Sequence, residues 1–384
     1  MRTTKFIQLL SIIFIGLTGL SAGYAQDDSP PVKRLKQLLA TDKNFSKQLE
    51  LTFENLQDLP NGTANPWRGK DMDDLYHFLN EWFYFLPNTK NGLNKILEFS
   101  LLYYRNPQGL KFVLEEPGLS WTKYFVEERG KFMDSEASVE VISEWLADKS
   151  LNNDDFIWPE EGFKSFNEFF TRNLKPGVRP ISGIGDNSVI VSPTDGPVTI
   201  INNDLRSDTQ IPIKGRMSLN LNQLLGDSEY VDRFIGGTAI AFFLLPDSYH
   251  HYHAPVSGVV VESDETVGER LFGIPMLYDF VSNPNLGYNE DFSIFERFLH
   301  GYLIFETKNF GYIAMVPVGL NTIGSVTFED KFKNVTGEQR QDVYKGEKVG
   351  HFAYGGSLVI LLLEKDRFGP LSVKQGQQIG ILKK

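Results

Sequence analysis

The chain has 384 residues, a formal net charge of −11, 30 phenylalanines and 15 tyrosines. Disordered and low-complexity proteins contain few aromatic residues, so the composition excludes these classes, and the length favours two domains that each bury a core. The chain contains no cysteine, which excludes disulfides, thiolate metal sites, iron–sulfur clusters and cysteine nucleophiles. Any chemistry must therefore use other side chains.

The first 25 residues predict a secretory signal peptide. Arg2 and Lys5 precede an apolar run at 6–20, and the small residues at 21–25 offer a cleavage site. A membrane-spanning helix needs about 20 apolar residues, which is more than this run contains. We therefore expect an exported protein, periplasmic or extracellular, with membrane association left open. An uncleaved N-terminal anchor is the alternative.

Removal of this segment takes away two basic residues and no acidic one, so the mature chain is more acidic than the full sequence. An acidic surface repels nucleic acid and anionic lipid. We therefore expect no nucleic-acid partner.

Residues 26–155 predict a helical domain. Apolar residues recur at three- and four-residue steps, for example at Val32, Leu35 and Leu39, as expected for one face of a helix. Prolines separate the helical stretches. The many aromatic residues of this region are expected to form its core. Its sequence indicates no function.

Residues 156–384 predict a β-rich catalytic domain. Ser165, with an acidic residue three positions later, predicts the start of a short helix. Strands are predicted after it, at 189–191, 198–201, 239–245, 258–262, 301–306, 312–318 and 358–364. Two similar turns, at 343–350 and 373–380, are typical of hairpin connections. The fold class is therefore α+β, a helical N-terminal domain followed by a sandwich-like domain.

Three histidines lie within four positions. On a strand, His251 and His253 share one face and His250 lies on the other. Either a general base or a metal pair is consistent with this pattern. Without cysteines or a second histidine cluster, a metal ion would lack its further ligands, so no metal site is predicted. A surface cluster on an edge strand is the structural alternative.

Two further motifs contain candidate reactive groups. Gly355 and Gly356 precede Ser357 and a fully apolar run. Glycines have no Cβ, so the serine hydroxyl can approach the preceding carbonyl. Asp195 lies in a turn bracketed by proline and glycine. Taken alone, each motif is typical of an ordinary turn.

Together and in chain order, these motifs resemble the phosphatidylserine decarboxylase family. The resemblance covers about residues 160–384 and is highly specific because the segments occur jointly. The segments are 166–170 with Arg172, 175–180, 192–196, 213–215 with Leu224 and Leu225, 245–255, 323–325 and 350–357. Residues before 150 resemble, more faintly, an extra helical domain that some members carry.

The resemblance implies a pyruvoyl group made from the chain itself. Ser357 Oγ would attack the Gly356 carbonyl and convert the peptide bond to an ester, β-elimination would then give dehydroalanine, and hydrolysis of the dehydroalanine would leave the pyruvoyl group and ammonia. The family pattern assigns the base to His253, the orientation of its ring to Asp195, and reprotonation of the decarboxylated substrate to His250. The pyruvoyl ketone would accept the electrons released with CO2.

Cleavage between Gly356 and Ser357 would give a β chain that ends at 356 and an α chain of residues 357–384, which would be partners of each other. Two positions depart from the family pattern. Leu358 stands where members commonly have Thr or Ser, which puts the rate of maturation in doubt. His251 stands where members often have Arg, which affects how anionic groups near the site are held.

The resemblance implies phosphatidylserine as substrate, converted to phosphatidylethanolamine and CO2, with peripheral membrane contact. Relatives that act on soluble amino acids, aromatic ones included, also carry an extra N-terminal domain. Decarboxylation of a soluble L-amino acid is therefore the first alternative. A non-catalytic exported binding protein is the second alternative, and a homodimer stays open.

Overall fold

The structure is a computed structural model. It describes residues 27–59, 61–149, 151–205, 221–244, 247–275, 277–282, 298–320, 325–353 and 356–377. The expected signal peptide and the motif at 213–215 lie outside the described residues. Across those ranges, no helix is both long and apolar enough to cross a membrane.

Helices dominate up to residue 147, as predicted. They are α1 (Pro30–Thr41), α2 (Lys43–Glu54), α3 (Met72–Tyr84), α4 (Asn94–Ser100), α5 (Pro107–Leu114), α6 (Gly118–Met133) and α7 (Ile142–Ala147). Local sequence sets several of their starts. Asp71 caps α3 by accepting hydrogen bonds from the backbone of Asp73 and Asp74, and the Asp74 side chain accepts from the Asp71 backbone, which is a capping box. Asn106 caps α5, whose first residue is proline.

Aromatic side chains fill the core of this helical region, as predicted. The Trp82 ring lies within 6 Å of the rings of Phe78, Phe99 and Phe125. Such tilted and edge-on aromatic pairs add to the free energy gained from burial.

The remaining chain forms ten strands and three short α-helices in the described residues. The strands are β1 (Val198–Asn203), β2 (Thr238–Leu244), β3 (His251–His253), β4 (Gly258–Val267), β5 (His300–Glu306), β6 (Tyr312–Leu320), β7 (Val326–Phe328), β8 (Gln341–Val343), β9 (Lys348–Phe352) and β10 (Gly356–Leu363). The helices are α8 (Phe166–Phe170), α9 (Leu221–Leu225) and α10 (Leu277–Ser282).

These strands form two antiparallel sheets. The larger has the order β1-β2-β10-β6-β5-β4-β8, and the smaller has the order β3-β9-β7. Side chains of β10 alternate between two hydrophobic clusters. Val359 and Leu361 pack toward the small sheet, whereas Leu358 and Ile360 pack in a cluster that includes the N-terminal helices. The large sheet therefore lies between the small sheet and the helical region, and the α+β prediction is confirmed.

Three local predictions can be compared with the structure. The short helix α8 is confirmed, with Ser165 Oγ accepting a hydrogen bond from the Glu168 backbone. No strand forms at 189–191, where Val191 makes a single backbone bond to Pro255. The turn at 343–350 is not a hairpin, because β8 pairs with β4 in the large sheet while β9 pairs with β3 and β7 in the small one. This turn therefore crosses from one sheet to the other.

Candidate active site

Ser357 lies at the start of β10, in the interior of the large sheet. It stands opposite Leu244 of β2 and Gly319 of β6. The residue is 0% exposed, and its hydroxyl has no hydrogen-bond partner among the described residues. A buried polar group without a partner is costly and is therefore rare outside functional sites. The hydroxyl is thus shielded from bulk solvent and not bonded to any described residue.

Pairing of β3 with β9 places the histidine segment beside the strand that precedes Ser357 in the chain. His251 stands opposite His351, and the backbone N–H of Phe352 donates to the carbonyl of His250 at 2.9 Å. Because Phe352 ends β9 and β10 begins at residue 356, only three residues separate this contact from the next strand. The sheet pairing therefore anchors the chain just before the Gly356–Ser357 bond.

Both ring nitrogens of His253 are hydrogen-bonded. Nδ1 donates to the carbonyl oxygen of Gly346 at 2.8 Å, because a carbonyl can only accept. In the neutral ring Nε2 then carries the lone pair, and it accepts from the Tyr249 hydroxyl at 3.0 Å. Burial lowers the pKa of His253. The ring is therefore a neutral base in a fixed tautomer at neutral pH.

Asp195 lies beside β3, and its carboxylate is paired with an arginine. Arg179 Nε and Nη2 donate to Asp195 at 3.1 and 2.9 Å, and Arg179 Nη1 donates to Asp155 at 2.9 Å. The neighbouring Pro193 carbonyl accepts from the His253 backbone at 2.8 Å. The structure thus places the Asp195 turn next to His253, but Gly346 rather than Asp195 orients the imidazole ring.

His250 and His251 are both buried, and their rings contact different neighbours. The His250 ring stacks on Phe170 at 4.0 Å, whereas the His251 ring stacks on Tyr249 at 4.9 Å. His251 Nε2 donates to the Thr171 carbonyl at 2.7 Å. Burial lowers the pKa of each ring to about 3, so both are neutral at neutral pH.

A cavity of about 340 Å³ lies where the helical region meets the end of β9. Its wall includes Ala353, which directly follows β9, together with Ser325 and Asn167 of α8. Helix α6 supplies the other side, including Glu127 and Lys131. Sequence reasoning missed α6 as part of this wall, because its charged residues follow an ordinary amphipathic helical pattern with no motif.

The residues at the start of β10 fit a pyruvoyl group made at position 357. The buried hydroxyl of Ser357, which has no hydrogen-bond partner among the described residues, would be the nucleophile. The backbone of His250 and His251 pairs with β9, the strand that precedes Ser357 in the chain. Where the structure describes the chain, no cluster of three or more histidine or carboxylate side chains is arranged to bind a metal ion.

Comparison with known proteins identifies the family. The family model for phosphatidylserine decarboxylase matches residues 166–381. The phosphatidylserine decarboxylase proenzyme of Clostridium novyi (strain NT) is 31% identical over 264 residues, which cover 69% of this chain and 81% of that protein. The proenzyme of Fusobacterium nucleatum subsp. nucleatum is 31% identical over 266 residues, covering 69% of this chain and 80% of that protein.

A plant relative is similar over a smaller share of its own length. Phosphatidylserine decarboxylase proenzyme 2 of Oryza sativa subsp. japonica is 32% identical over 246 residues, 64% of this chain and 36% of the rice protein. Since only three residues follow the family match, the alignments to the two bacterial proteins extend into the helical region before residue 166. The chain therefore belongs to the phosphatidylserine decarboxylase family and is an enzyme of the carboxy-lyase class.

Proposed function

We propose that this enzyme cleaves its own chain between Gly356 and Ser357, carries a pyruvoyl group at residue 357, and decarboxylates phosphatidylserine to phosphatidylethanolamine. The observation that carries the proposal is the hydroxyl of Ser357, which is fully buried and has no hydrogen-bond partner in the part of the chain that the structure describes. Membership of the family supports the reaction class, and relatives named phosphatidylserine decarboxylase proenzyme support the substrate.

Self-cleavage begins with loss of the proton from Ser357 Oγ. A neutral base is needed for this step, and we assign it to His253, whose pKa is lowered by burial and whose tautomer is fixed by Gly346. To take the proton, its Nε2 must exchange the Tyr249 hydroxyl for Ser357 Oγ. The oxygen then forms a bond to the Gly356 carbonyl carbon, the peptide C–N bond breaks, and an ester joins the two residues. Elimination at residue 357 releases the Gly356 carboxylate and leaves an enamine that water hydrolyses with loss of ammonia.

A pyruvoyl group at residue 357 would supply a conjugated carbonyl that takes up electrons as CO2 leaves. His250 is the group that we assign to protonation of the substrate carbon. Its neutral ring carries one proton in a position closed to solvent, against the Phe170 ring. Asp195 and Arg179 form an ion pair at the edge of this segment and hold the turn that abuts β3. We also propose, from the first 25 residues, that the enzyme is exported.

The cleavage test is intact-mass analysis of the purified chain. We expect a small fragment of residues 357–384 with a blocked N-terminus from the parent protein, and no such fragment from Ser357→Ala. Ser263→Ala is the matched control, since Ser263 is also a buried strand serine but donates to the Phe332 carbonyl at 2.6 Å. A single full-size chain from the parent protein would overturn self-cleavage.

The substrate test compares vesicles that contain phosphatidylserine with free L-serine, L-tyrosine and L-tryptophan. The proposal expects phosphatidylethanolamine and CO2 from the vesicles and no amine from the amino acids. Amine formed only from a free amino acid would show that this amino acid, and not phosphatidylserine, is the substrate. The pyruvoyl mechanism would stay in place. No product from any of these substrates, despite chain cleavage, would contradict the proposed decarboxylation.

A further inference from the structure

Arg172 is a buried cation that follows α8 directly. The residue is 7% exposed. Its guanidinium lies 4.0 Å from the centre of the Phe156 ring and 4.3 Å from that of Phe169. Two aromatic rings therefore contact the group, and such contacts stabilise a guanidinium while leaving its N–H groups without acceptors.

The hydrogen-bonding capacity of this guanidinium is largely unused. Nη1 donates to the Phe169 carbonyl at 3.0 Å, and Nε is buried without a partner among the residues that the structure describes. No carboxylate in the described part of the chain lies within ion-pair distance of Arg172. A buried charge without a counter-charge is costly, and proteins normally pair it or use it.

Two other arginines of this protein have guanidinium groups that are bonded to several oxygen acceptors. Arg129 is 3% exposed, and it donates three hydrogen bonds of 2.6–2.7 Å to the carbonyls of Trp82, Phe83 and Phe85. Arg179 pairs with two carboxylates. Arg172 has neither arrangement, although burial lowers its pKa only to about 10, so it is charged at neutral pH.

The position of Arg172 ties it to the candidate active site. The preceding residue, Thr171, accepts the hydrogen bond from His251 Nε2, and Phe170 stacks on His250. The positive charge of Arg172 also contributes to lowering the pKa of His250. The unpaired cation therefore lies within electrostatic reach of the buried histidines.

We propose that Arg172 is the anion receptor of the active site and binds an oxyanion of the substrate, either its carboxylate or its phosphate. The planar guanidinium can donate two parallel N–H bonds to either group. The assignment of the anion to a substrate rests on the proposed function, whereas anion binding at Arg172 does not. Arg172 acts in substrate binding, so its loss raises KM and leaves chain cleavage intact.

Binding is measured on the Ser357→Ala chain, so that cleavage plays no part. Inorganic phosphate and acetate are the probes, titrated separately by calorimetry. One of them should bind, and Arg172→Met should weaken that binding about 10- to 100-fold, as expected for the loss of charge-assisted hydrogen bonds. Binding of phosphate identifies the phosphodiester as the ligand group, and binding of acetate identifies the carboxylate.

Arg233→Met is the matched control. Arg233 also lies over an aromatic ring, 5.0 Å from the centre of Tyr312, but it is exposed and has Glu364 as a partner at 3.9 Å. Binding of the probe should be unchanged in this variant. Arg172→Met should also unfold at the parent temperature or above it, because it removes an unpaired buried charge.

Three results would overturn the proposal. They are equal binding of the probe by the parent and Arg172→Met, no binding of either probe by the parent, and a lower unfolding temperature in Arg172→Met with unchanged binding. If Arg172→Met fails to fold, Arg172→Lys retains the charge without the planar fork, and it should bind the probe more weakly than the parent. If the parent binds the anion but decarboxylates no substrate, the result would contradict the proposed function and not the proposal that Arg172 binds an anion.

Discussion

At the residue scale, Ser357 differs from other buried serines in what its hydroxyl contacts. Ser138 and Ser263 are also buried, but their hydroxyls donate to backbone carbonyls at 2.7–2.9 Å and 2.6 Å. Bonded hydroxyls of this kind contribute to stability and are poorly placed to react. The Ser357 hydroxyl has no such bond to a described residue, so its deprotonation breaks no hydrogen bond with that part of the chain.

The residue after the nucleophile has its side chain on the other face of the sheet. Leu358 packs in the cluster shared with the helices, while Val359 packs toward the small sheet. Leu358→Thr should therefore leave the rate of chain cleavage within a factor of about three, since the new hydroxyl lies away from Ser357. It should also lower the free energy of unfolding by about 1–3 kcal/mol, because it buries a polar group in an apolar cluster.

Gel densitometry measures the rate of chain cleavage in Leu358→Thr. Urea unfolding of the same substitution in the uncleaved Ser357→Ala chain measures the change in stability. Leu358→Val is the control that shortens the side chain without adding a hydroxyl. A cleavage rate more than about tenfold faster in the Thr variant, and unchanged in the Val variant, would show that a hydroxyl at 358 assists the reaction.

Stability should fall as the pH drops below 6.5, in part because of His251. Its pKa is about 3 in the folded chain against an ordinary value of 6.5. Between these values the unfolded chain binds one more proton, so His251 lowers the free energy of unfolding by about 1.4 kcal/mol per pH unit as pH falls. His251→Gln lacks this proton, and its stability should depend less steeply on pH.

Urea unfolding at pH 8, 7, 6 and 5 measures the effect. The difference between the parent and His251→Gln should be constant above pH 7 and shift in favour of the variant below 6.5. Parallel curves down to pH 5 would contradict the lowered pKa.

Some features of the site could be predicted from sequence and others could not. The rings of His251 and His253, predicted on one face from the local alternation of extended backbone, both contact the Tyr249 ring. His250 lies before β3, and its placement on the other face stays a prediction. The Arg179–Asp195 pair and the Tyr249–His253 bond depend on where separate loops meet. Periodicity and spacing carry no information about such contacts.

At the scale of elements, β9 is the strand of the small sheet that precedes β10 and Ser357 in the chain. It is the middle strand of the small sheet, and Gly350 stands opposite Tyr252 on one side and Phe328 on the other. A Cβ at Gly350 would collide with the Thr327 carbonyl and the Tyr252 ring. The close approach of three strands at this point therefore requires glycine.

Gly350→Ala should destabilise the protein by about 1–3 kcal/mol, because the added methyl forces the small sheet apart. Chain cleavage should slow as well, since β9 anchors the segment before Ser357. Gly337→Ala is the control, because nothing lies within 4 Å of its Cβ position. Thermal unfolding and cleavage rates equal in both variants would contradict this role of β9.

Element lengths explain which strands were predicted. The longer strands β2, β4, β5, β6 and β10 contain enough apolar or β-branched residues to be recognised. Strands β7 and β8 have three residues each, which is too short for a pattern. The crossing turn at 343–350 has the sequence of a hairpin, and only the pairing of its two strands with different sheets distinguishes it.

At the scale of the whole molecule, the helical region and the large sheet share one hydrophobic cluster. Phe272 lies at their contact, 5.2 Å from the Phe99 ring and 6.0 Å from the Trp82 ring. Nearby, Asp279 accepts hydrogen bonds from the Tyr104 hydroxyl and from Arg105 Nη2. The boundary near residue 155 stays a prediction, but the two sides of it are packed together.

The shared cluster predicts that both regions unfold in one transition. Phe272→Ala should lower the free energy of unfolding by about 3–5 kcal/mol, the usual cost of removing a buried phenylalanine. Phe310→Ala is the control, since Phe310 is 37% exposed. Calorimetry should give one peak for the parent and both variants, and two separate peaks in the parent would show that the regions are thermodynamically independent.

The place of β10 in the large sheet determines what a cut at Gly356–Ser357 would do to the molecule. Each residue from Ser357 to Leu363 stands opposite a residue of β2 and a residue of β6. The released α chain would thus stay as an inner strand, and its departure would require two ladders and both hydrophobic clusters to open. The covalent break would change the chemistry of one residue while the two chains behave as a single folded body, inseparable without denaturant.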